Sequence, residues 1–105
     1  MNKTIRVTLA LAATVLMAGA MSFAQSGEAV YKAHCQSCHG AAGVPNPGMA
    51  KMMGIKSVKD PAMKKLSEAQ MIAATKDGKG KMPAFKGKLS DAQIKDAVTY
   101  FRSLK

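Results

Sequence analysis

The sequence predicts an all-α domain, because it holds two clear helix starts, one long amphipathic stripe and no convincing strand pattern. In each helix start a serine is followed three residues later by glutamine, the spacing of a capping box, at Ser67–Gln70 and at Ser90–Gln93. Apolar residues at helical spacing follow the second box. They are Ile94, Ala97, Val98, Phe101 and Leu104. We therefore expect two well-defined helices in the second half of the chain.

Shorter helices are predicted in the first half. Gln25 or Ser26 can cap a first helix, a short turn of helix is expected over Met49–Met53, and Asp60–Pro61 has the N-cap and first-position residues of another. Stretches rich in glycine and proline separate these pieces. The whole pattern predicts three to five helices and no sheet.

Residues 1–24 have the composition of a secretory signal peptide. Two basic residues precede an apolar run over Val7–Met21, and small residues follow at the positions that a signal peptidase reads. Cleavage after Ala24 leaves residues 25–105 as one small domain without a transmembrane anchor. We expect that domain to be a soluble periplasmic protein. Retention of the segment as an uncleaved anchor is the alternative.

Cys35-Gln-Ser-Cys38-His39 is the pattern at which a c-type haem is attached. Thiols three positions apart lie on one face of a helix, so both can bond the haem vinyl groups, while His39 binds the iron through a neutral nitrogen. Three other interpretations are a redox dithiol, half of a zinc site and a structural disulfide. A zinc site needs four ligands and finds only His34 besides these three residues, and the disulfide would close too small a loop to stabilise the fold much.

Met82 is predicted to be the second axial ligand of the iron, because a methionine sulfur is a soft neutral donor. Of the six methionines in the region after residue 24, only Met82 lies in a glycine-flanked loop with a proline behind it. Met71 is already accounted for as part of the core face of its helix. The alternative interpretation of Met82 is an apolar anchor of the loop.

These motifs together resemble those of a class I cytochrome c. The opening Gly27-x-x-x-Tyr31-x-x-x-Cys35-x-x-Cys38-His39, the loop Gly80–Phe85 and the helix end Val98–Leu104 occur in the order of that family. The resemblance implies a small cytochrome c fold whose helices pack around one covalently attached haem. It also implies that Gly27 and Tyr31 pack on Ala97 and Tyr100 where the first and last helices cross.

The resemblance further implies that a proline carbonyl accepts the second ring proton of His39, and Pro47 is the first choice for it and Pro45 the second. The chain departs from many relatives in having no tryptophan and, after residue 24, only one arginine, Arg102. The groups that hold the haem propionates are therefore not identified.

Two filled axial positions leave no open site on the iron, so we expect a mono-haem electron carrier and not an enzyme. The electron would pass through an exposed haem edge. A haem subunit of a periplasmic oxidoreductase or terminal reductase is one alternative. A peroxidase or gas sensor is another, if Met82 is labile.

The charge of the chain predicts the kind of partner. After residue 24 there are 14 basic and 6 acidic residues, a net charge of about +8. Five lysines surround Met82 and form a lysine cluster: Lys76, Lys79, Lys81, Lys86 and Lys88. We expect this cluster to guide a monomeric carrier to acidic redox-partner proteins. Lysine for solubility alone is the alternative, and nucleic acid is excluded by export and by the scarcity of aromatic residues.

Overall fold

The structure is a computed structural model that describes residues 27–104. The predicted signal peptide, residues 1–24, and its cleavage point lie outside the described residues. The described chain forms six α-helical segments: α1 over residues 27–34, α2 over Gln36–His39, α3 over Pro47–Met53, α4 over Pro61–Lys64, α5 over Glu68–Asp77 and α6 over Asp91–Ser103. Only Cys35 separates α1 from α2, so the two count as one interrupted helix and the all-α prediction of up to five helices is confirmed.

Both predicted capping boxes are present. The Ser67 hydroxyl accepts from the Gln70 N–H at 3.1 Å, and the Gln70 side chain accepts from the Ser67 N–H at 2.8 Å. Ser90 and Gln93 repeat this arrangement at the start of α6. Each box satisfies two backbone donors that have no partner inside the helix, which fixes where α5 and α6 begin.

Helix α3 begins two residues earlier than predicted. The Asn46 side chain accepts from the Met49 N–H at 3.1 Å and so caps the helix. Pro47 takes the first helical position, where its fixed φ fits and its missing N–H costs nothing. The helix ends at Gly54, whose φ of 68° is left-handed.

The core lies between α6 and the helices that pack on it. Ile94 and Tyr31 are almost fully buried, at 0% and 1% exposure. The ring of Tyr31 lies 5.2 Å from that of Tyr100 and 6.0 Å from that of Phe101. A Cβ atom on Gly27 would lie 2.6 Å from the Asp96 carbonyl oxygen, so α1 and α6 cross at close range. The crossing implied by the resemblance is therefore observed, with Asp96 as the backbone closest to Gly27.

Helices α5 and α6 are joined at both ends by polar contacts. The Thr99 hydroxyl donates to the Glu68 carboxylate at 2.8 Å, and Lys76 pairs with Asp91 at 3.2 Å. These contacts hold α5 against α6 and so fix both ends of the loop that joins the two helices.

Within residues 27–104, none of the helices has the length and the apolar character that crossing a membrane requires.

Candidate haem site

The structure brings Cys35, Cys38 and His39 together in one helical turn. The Cys35 N–H donates to the Tyr31 carbonyl at 2.8 Å, and the His39 N–H donates to the Cys35 carbonyl at 2.9 Å. Both cysteines are free and half-buried. Two thiols and one imidazole are therefore presented from the junction of α1 and α2, as an attached haem requires.

The electrostatics of Cys35 differ from those of a reactive dithiol. Burial, with a smaller contribution from Cys38, raises the pKa of the Cys35 thiol to about 11. Redox-active cysteines have a lowered pKa, because the thiolate is the nucleophile. The protonated Cys35 thiol disfavours the redox dithiol interpretation.

The zinc interpretation finds no further ligand. Among the residues that the structure describes, no group of three or more His, Cys, Asp and Glu side chains is placed to hold a metal ion. His34 is exposed at the end of α1, and its ring meets that of Phe85 edge-on at 6.2 Å. A tetrahedral zinc site therefore has no support in this part of the chain.

His39 is the residue with the most unusual surroundings. Its Nδ1 atom is buried and has no hydrogen-bond partner within residues 27–104. Burial lowers the pKa of the imidazole, which keeps it neutral at pH 7, and only the neutral ring can bind a metal. The ring of Phe101 lies edge-on to it at 5.4 Å. A buried ring nitrogen without a partner is rare and marks His39 as a functional group.

The loop after His39 returns towards it. Gly40 has a φ of 82°, and a Cβ atom there would collide with the Val44 carbonyl, so residues 40–45 form a tight turn. Pro45 is buried next to this turn, whereas Pro47, the first choice from the sequence, is exposed at the start of α3. Of the two prolines, only Pro45 is thus buried close to the turn that follows His39.

Met82 lies in a separate loop between α5 and α6. Lys79 and Met82 exchange two backbone hydrogen bonds, at 3.1 and 3.0 Å, which close a tight turn over residues 79–82. The loop is also bound to the end of α5, since the Phe85 N–H donates to the Thr75 carbonyl at 3.0 Å. These bonds restrain the backbone of Met82, and the residue itself is half-buried.

Two contacts at this site were not predicted. The Lys81 ammonium donates to the Met52 carbonyl at 2.7 Å and connects the Met82 loop to α3. The Tyr31 hydroxyl donates to the Gly40 carbonyl at 2.5 Å. Both pair a side chain with a distant backbone carbonyl, and the only signal in the sequence is the presence of Lys81 and Tyr31 themselves.

Four members of the lysine cluster are exposed. Lys79, Lys81, Lys86 and Lys88 face solvent, whereas Lys76 is half-buried and paired with Asp91. The Met82 loop and the residues that follow it therefore have a strongly positive surface.

Comparison with known proteins identifies the class. A sequence model of the family described as cytochrome C oxidase, cbb3-type, subunit III matches residues 22–101. Cytochrome c6 from Leptolyngbya boryana is 38% identical over 81 residues, which cover 73% of this chain and 87% of that protein. Cytochrome c6 from a Picosynechococcus species is 33% identical, covering 95% of this chain and 92% of its own. The solved structure of the KustC0563 c-type cytochrome superposes with a TM-score of 0.67 at 30% identity, over 75% of this chain and 96% of that one.

The fold and these matches define a small class I c-type cytochrome. The chain belongs to the cytochrome c family that the matching model represents. It is an electron-transfer haem protein whose iron-containing haem is covalently bound.

Proposed function

We propose that this protein is a periplasmic mono-haem electron carrier, in which Cys35 and Cys38 hold the haem through thioether bonds and His39 and Met82 are the axial ligands. One observation carries the proposal. Two free thiols and a neutral imidazole with a buried, unpaired Nδ1 atom lie in a single helical turn. A zinc site would use the same three groups, but the described residues supply no fourth ligand for it.

The residues of the chain fit such a group. When bound, the haem supplies an iron that changes between its ferrous and ferric states and so carries one electron. The lowered pKa of His39 keeps the imidazole neutral, the form that acts as a ligand. The raised pKa of Cys35 keeps its thiol protonated and poorly reactive towards other thiols.

Met82 supplies a neutral sulfur, which favours the ferrous state. The turn over residues 79–82 and the bonds to α5 hold its backbone in place. With His39 and Met82 both bound, the iron has no free position for a substrate, so the protein transfers electrons and is not an enzyme.

We propose that the Pro45 carbonyl, and not that of Pro47, would accept the Nδ1–H of His39 once the haem is bound, because this buried nitrogen has no partner among residues 27–104. Pro45 is buried beside the Gly40 turn, and Pro47 is exposed in the first turn of α3. A carbonyl acceptor fixes the tautomer and the orientation of a ligating imidazole.

Export through residues 1–24 places the mature chain, residues 25–105, in the periplasm as a soluble monomer. The four exposed lysines near Met82 favour acidic redox-partner proteins, because opposite charges accelerate encounter. A haem held by Cys35, Cys38, His39 and Met82 would supply the one-electron chemistry, and these lysines would guide the partner towards it.

Mass spectrometry of the purified protein tests the proposal. After expression in a host with haem-attachment machinery and acid–acetone extraction, the mass should equal residues 25–105 plus one haem. A protein with both Cys35→Ser and Cys38→Ser should yield little folded material, since the core loses its cofactor. A metal-free product with a reversible dithiol would refute the haem assignment.

The description of the matching family, an oxidase subunit, favours a second candidate function. In that case the domain is a bound haem subunit, and the exposed apolar side chains of Val44 and Met52 belong to its docking surface. Gel filtration of periplasmic and membrane fractions separates the two functions. A carrier elutes alone at the mass of the monomer, whereas a subunit co-purifies with a larger complex.

A further inference from the structure

Tyr31 makes a contact that a phenylalanine in its place cannot make. Its ring is almost fully buried between α1 and α6. The hydroxyl donates to the carbonyl of Gly40 at 2.5 Å, nine positions along the chain. The hydroxyl is protonated at physiological pH and can donate, and burial raises the pKa of Tyr31 still further, to about 12. The ring alone would fill the core, and the hydroxyl therefore serves the backbone beside His39.

Gly40 is the residue through which the hydroxyl acts. It follows His39 directly and begins the turn that leads to Pro45. Its φ of 82° gives the backbone a conformation that few other residues adopt. A hydrogen bond to its carbonyl fixes the direction in which the chain leaves His39, and with it the distance from the imidazole to the turn at Pro45.

Phe101 provides a second connection between the same two residues. Its ring stacks on that of Tyr31 at 6.0 Å with an interplanar angle of 24°. It also lies edge-on to the His39 ring at 5.4 Å. The imidazole is thus restrained through its backbone by the Tyr31 hydroxyl and on its ring by Phe101, which Tyr31 supports.

We propose that Tyr31 is a positioning residue for His39, whose hydrogen bond to Gly40 sets the orientation of the imidazole and thereby the reduction potential. This inference depends on the proposed function, because it takes His39 as the axial ligand. An acceptor on the second ring nitrogen of a ligating histidine orients the ring and raises its strength as a donor, and the turn that the Tyr31 hydroxyl holds is the one that brings Pro45 beside His39. A misaligned imidazole donates less to ferric iron, so losing the bond raises the potential.

The test uses Tyr31→Phe in the haem-loaded protein, with potentiometry and proton NMR of the ferric state. Phenylalanine keeps the ring and its stacking, so the fold persists. A hydrogen bond of this kind changes an equilibrium by about threefold. A threefold change in the ratio of the two oxidation states is a shift of about 30 mV for one electron. We expect that upward shift, with displaced ring-proton signals of His39.

Two control variants separate positioning from stability. Tyr100→Phe removes the other tyrosine hydroxyl; among residues 27–104 the backbone carbonyl of Tyr100 accepts a side-chain hydrogen bond, whereas its hydroxyl makes none. Val30→Ala removes buried volume from the same helix without touching Gly40. We expect Val30→Ala to lower the melting temperature at least as much as Tyr31→Phe does, and expect both controls to keep the wild-type potential and His39 signals.

Two results would overturn the proposal that Tyr31 positions His39. A Tyr31→Phe protein with unchanged potential and unchanged His39 signals would overturn the proposal, and so would an equal shift in Val30→Ala, which would mean that general loosening is the cause. If the proposed function itself is wrong, the wild-type ferric protein lacks the ring-proton signals of a histidine ligand.

Discussion

Met82 has a half-buried side chain on a backbone that hydrogen bonds hold in a tight turn. Replacing it with alanine should remove the weak far-red absorption of the methionine–ferric bond and lower the midpoint potential, because the soft sulfur favours ferrous iron. The iron should also become open to cyanide and carbon monoxide. Visible spectra and a redox titration of Met82→Ala measure all three effects.

Met52→Ala is the matched control for that experiment. Met52 is 61% exposed, and its contact with the Met82 loop is made by its backbone carbonyl, which the substitution retains. Its spectrum and potential should equal those of the wild type. If Met52→Ala lost the far-red absorption and Met82→Ala kept it, the ligand assignment would be reversed.

The raised pKa of Tyr31 predicts that the free energy of unfolding depends on pH, and that Tyr31 alone causes this part of the dependence. Its pKa rises from 10 in the unfolded chain to about 12 in the fold, with burial as the main cause. Between pH 10 and 12 the unfolded chain therefore loses a proton that the folded chain keeps, and stability falls as the pH rises. The loss should amount to roughly 1–2 kcal/mol relative to Tyr31→Phe, after allowance for screening by solvent.

Denaturant titrations of the two proteins at pH 9 and pH 11.5 measure this difference. At pH 9 and below, the difference between the two free energies of unfolding should be constant, since Tyr31 is protonated in the folded and the unfolded chain. The lysines titrate in the same range in both proteins and cancel in the comparison. If the free energies of unfolding of the two proteins differed by the same amount at pH 9 and at pH 11.5, Tyr31 would titrate alike in the folded and the unfolded chain.

At the scale of helices, the crossing of α1 and α6 depends on Gly27. A Cβ atom there would lie 2.6 Å from the Asp96 carbonyl oxygen, so Gly27→Ala must push the two helices apart. Overpacking of this kind costs about 1–3 kcal/mol. Ala33→Leu adds a larger group at an exposed position of α1 and should change the free energy of unfolding by less than about 0.5 kcal/mol. Equal effects of both substitutions, measured by denaturant unfolding, would contradict this account.

Helices whose ends depend on local chemistry were predictable from the sequence. The capping boxes at Ser67 and Ser90 and the Asp60–Pro61 start of α4 need only residues within one turn, and all three were confirmed. The start of α3 was missed by two residues. Its cap depends on Asn46, and the two flanking prolines favoured a loop over a helix start.

Apart from the α1–α6 crossing, which the family resemblance implied, contacts between distant parts of the chain were not predictable in the same way. Lys81 bonds to a carbonyl 29 positions away, and neither residue type nor spacing indicates that pair. The sequence likewise does not show that Pro45 is buried at the Gly40 turn and Pro47 is exposed, so the choice between the two prolines as partner of His39 stays a prediction. The grouping of Cys35, Cys38 and His39 in one helical turn could be predicted, since all three residues lie within five positions of the sequence.

At the scale of the whole molecule, the lysine cluster predicts how salt affects electron transfer. Lys79, Lys86 and Lys88 are exposed near Met82. Replacing these three with glutamate should slow transfer to an acidic partner and leave the spectrum nearly unchanged, because steering acts before contact. The wild-type rate should fall steeply with salt, since the Debye length is only about 10 Å at 0.1 M. Lys81 is kept because it binds the Met52 carbonyl.

The control variant reverses the same number of charges elsewhere. Lys56, Lys59 and Lys65 are also exposed but lie between α3 and α5. Stopped-flow rates of the two triple variants should differ, with the larger loss at the first set. Equal losses would mean that net charge alone guides the encounter, and no loss in either would mean that the lysines serve solubility.

Gly27 and Asp96 meet although 69 positions of chain separate them. A chain cut short before α6 would lack both Phe101, whose ring meets that of His39, and the backbone that meets Gly27. The surroundings of His39 are therefore complete only when both ends of the described chain have come together.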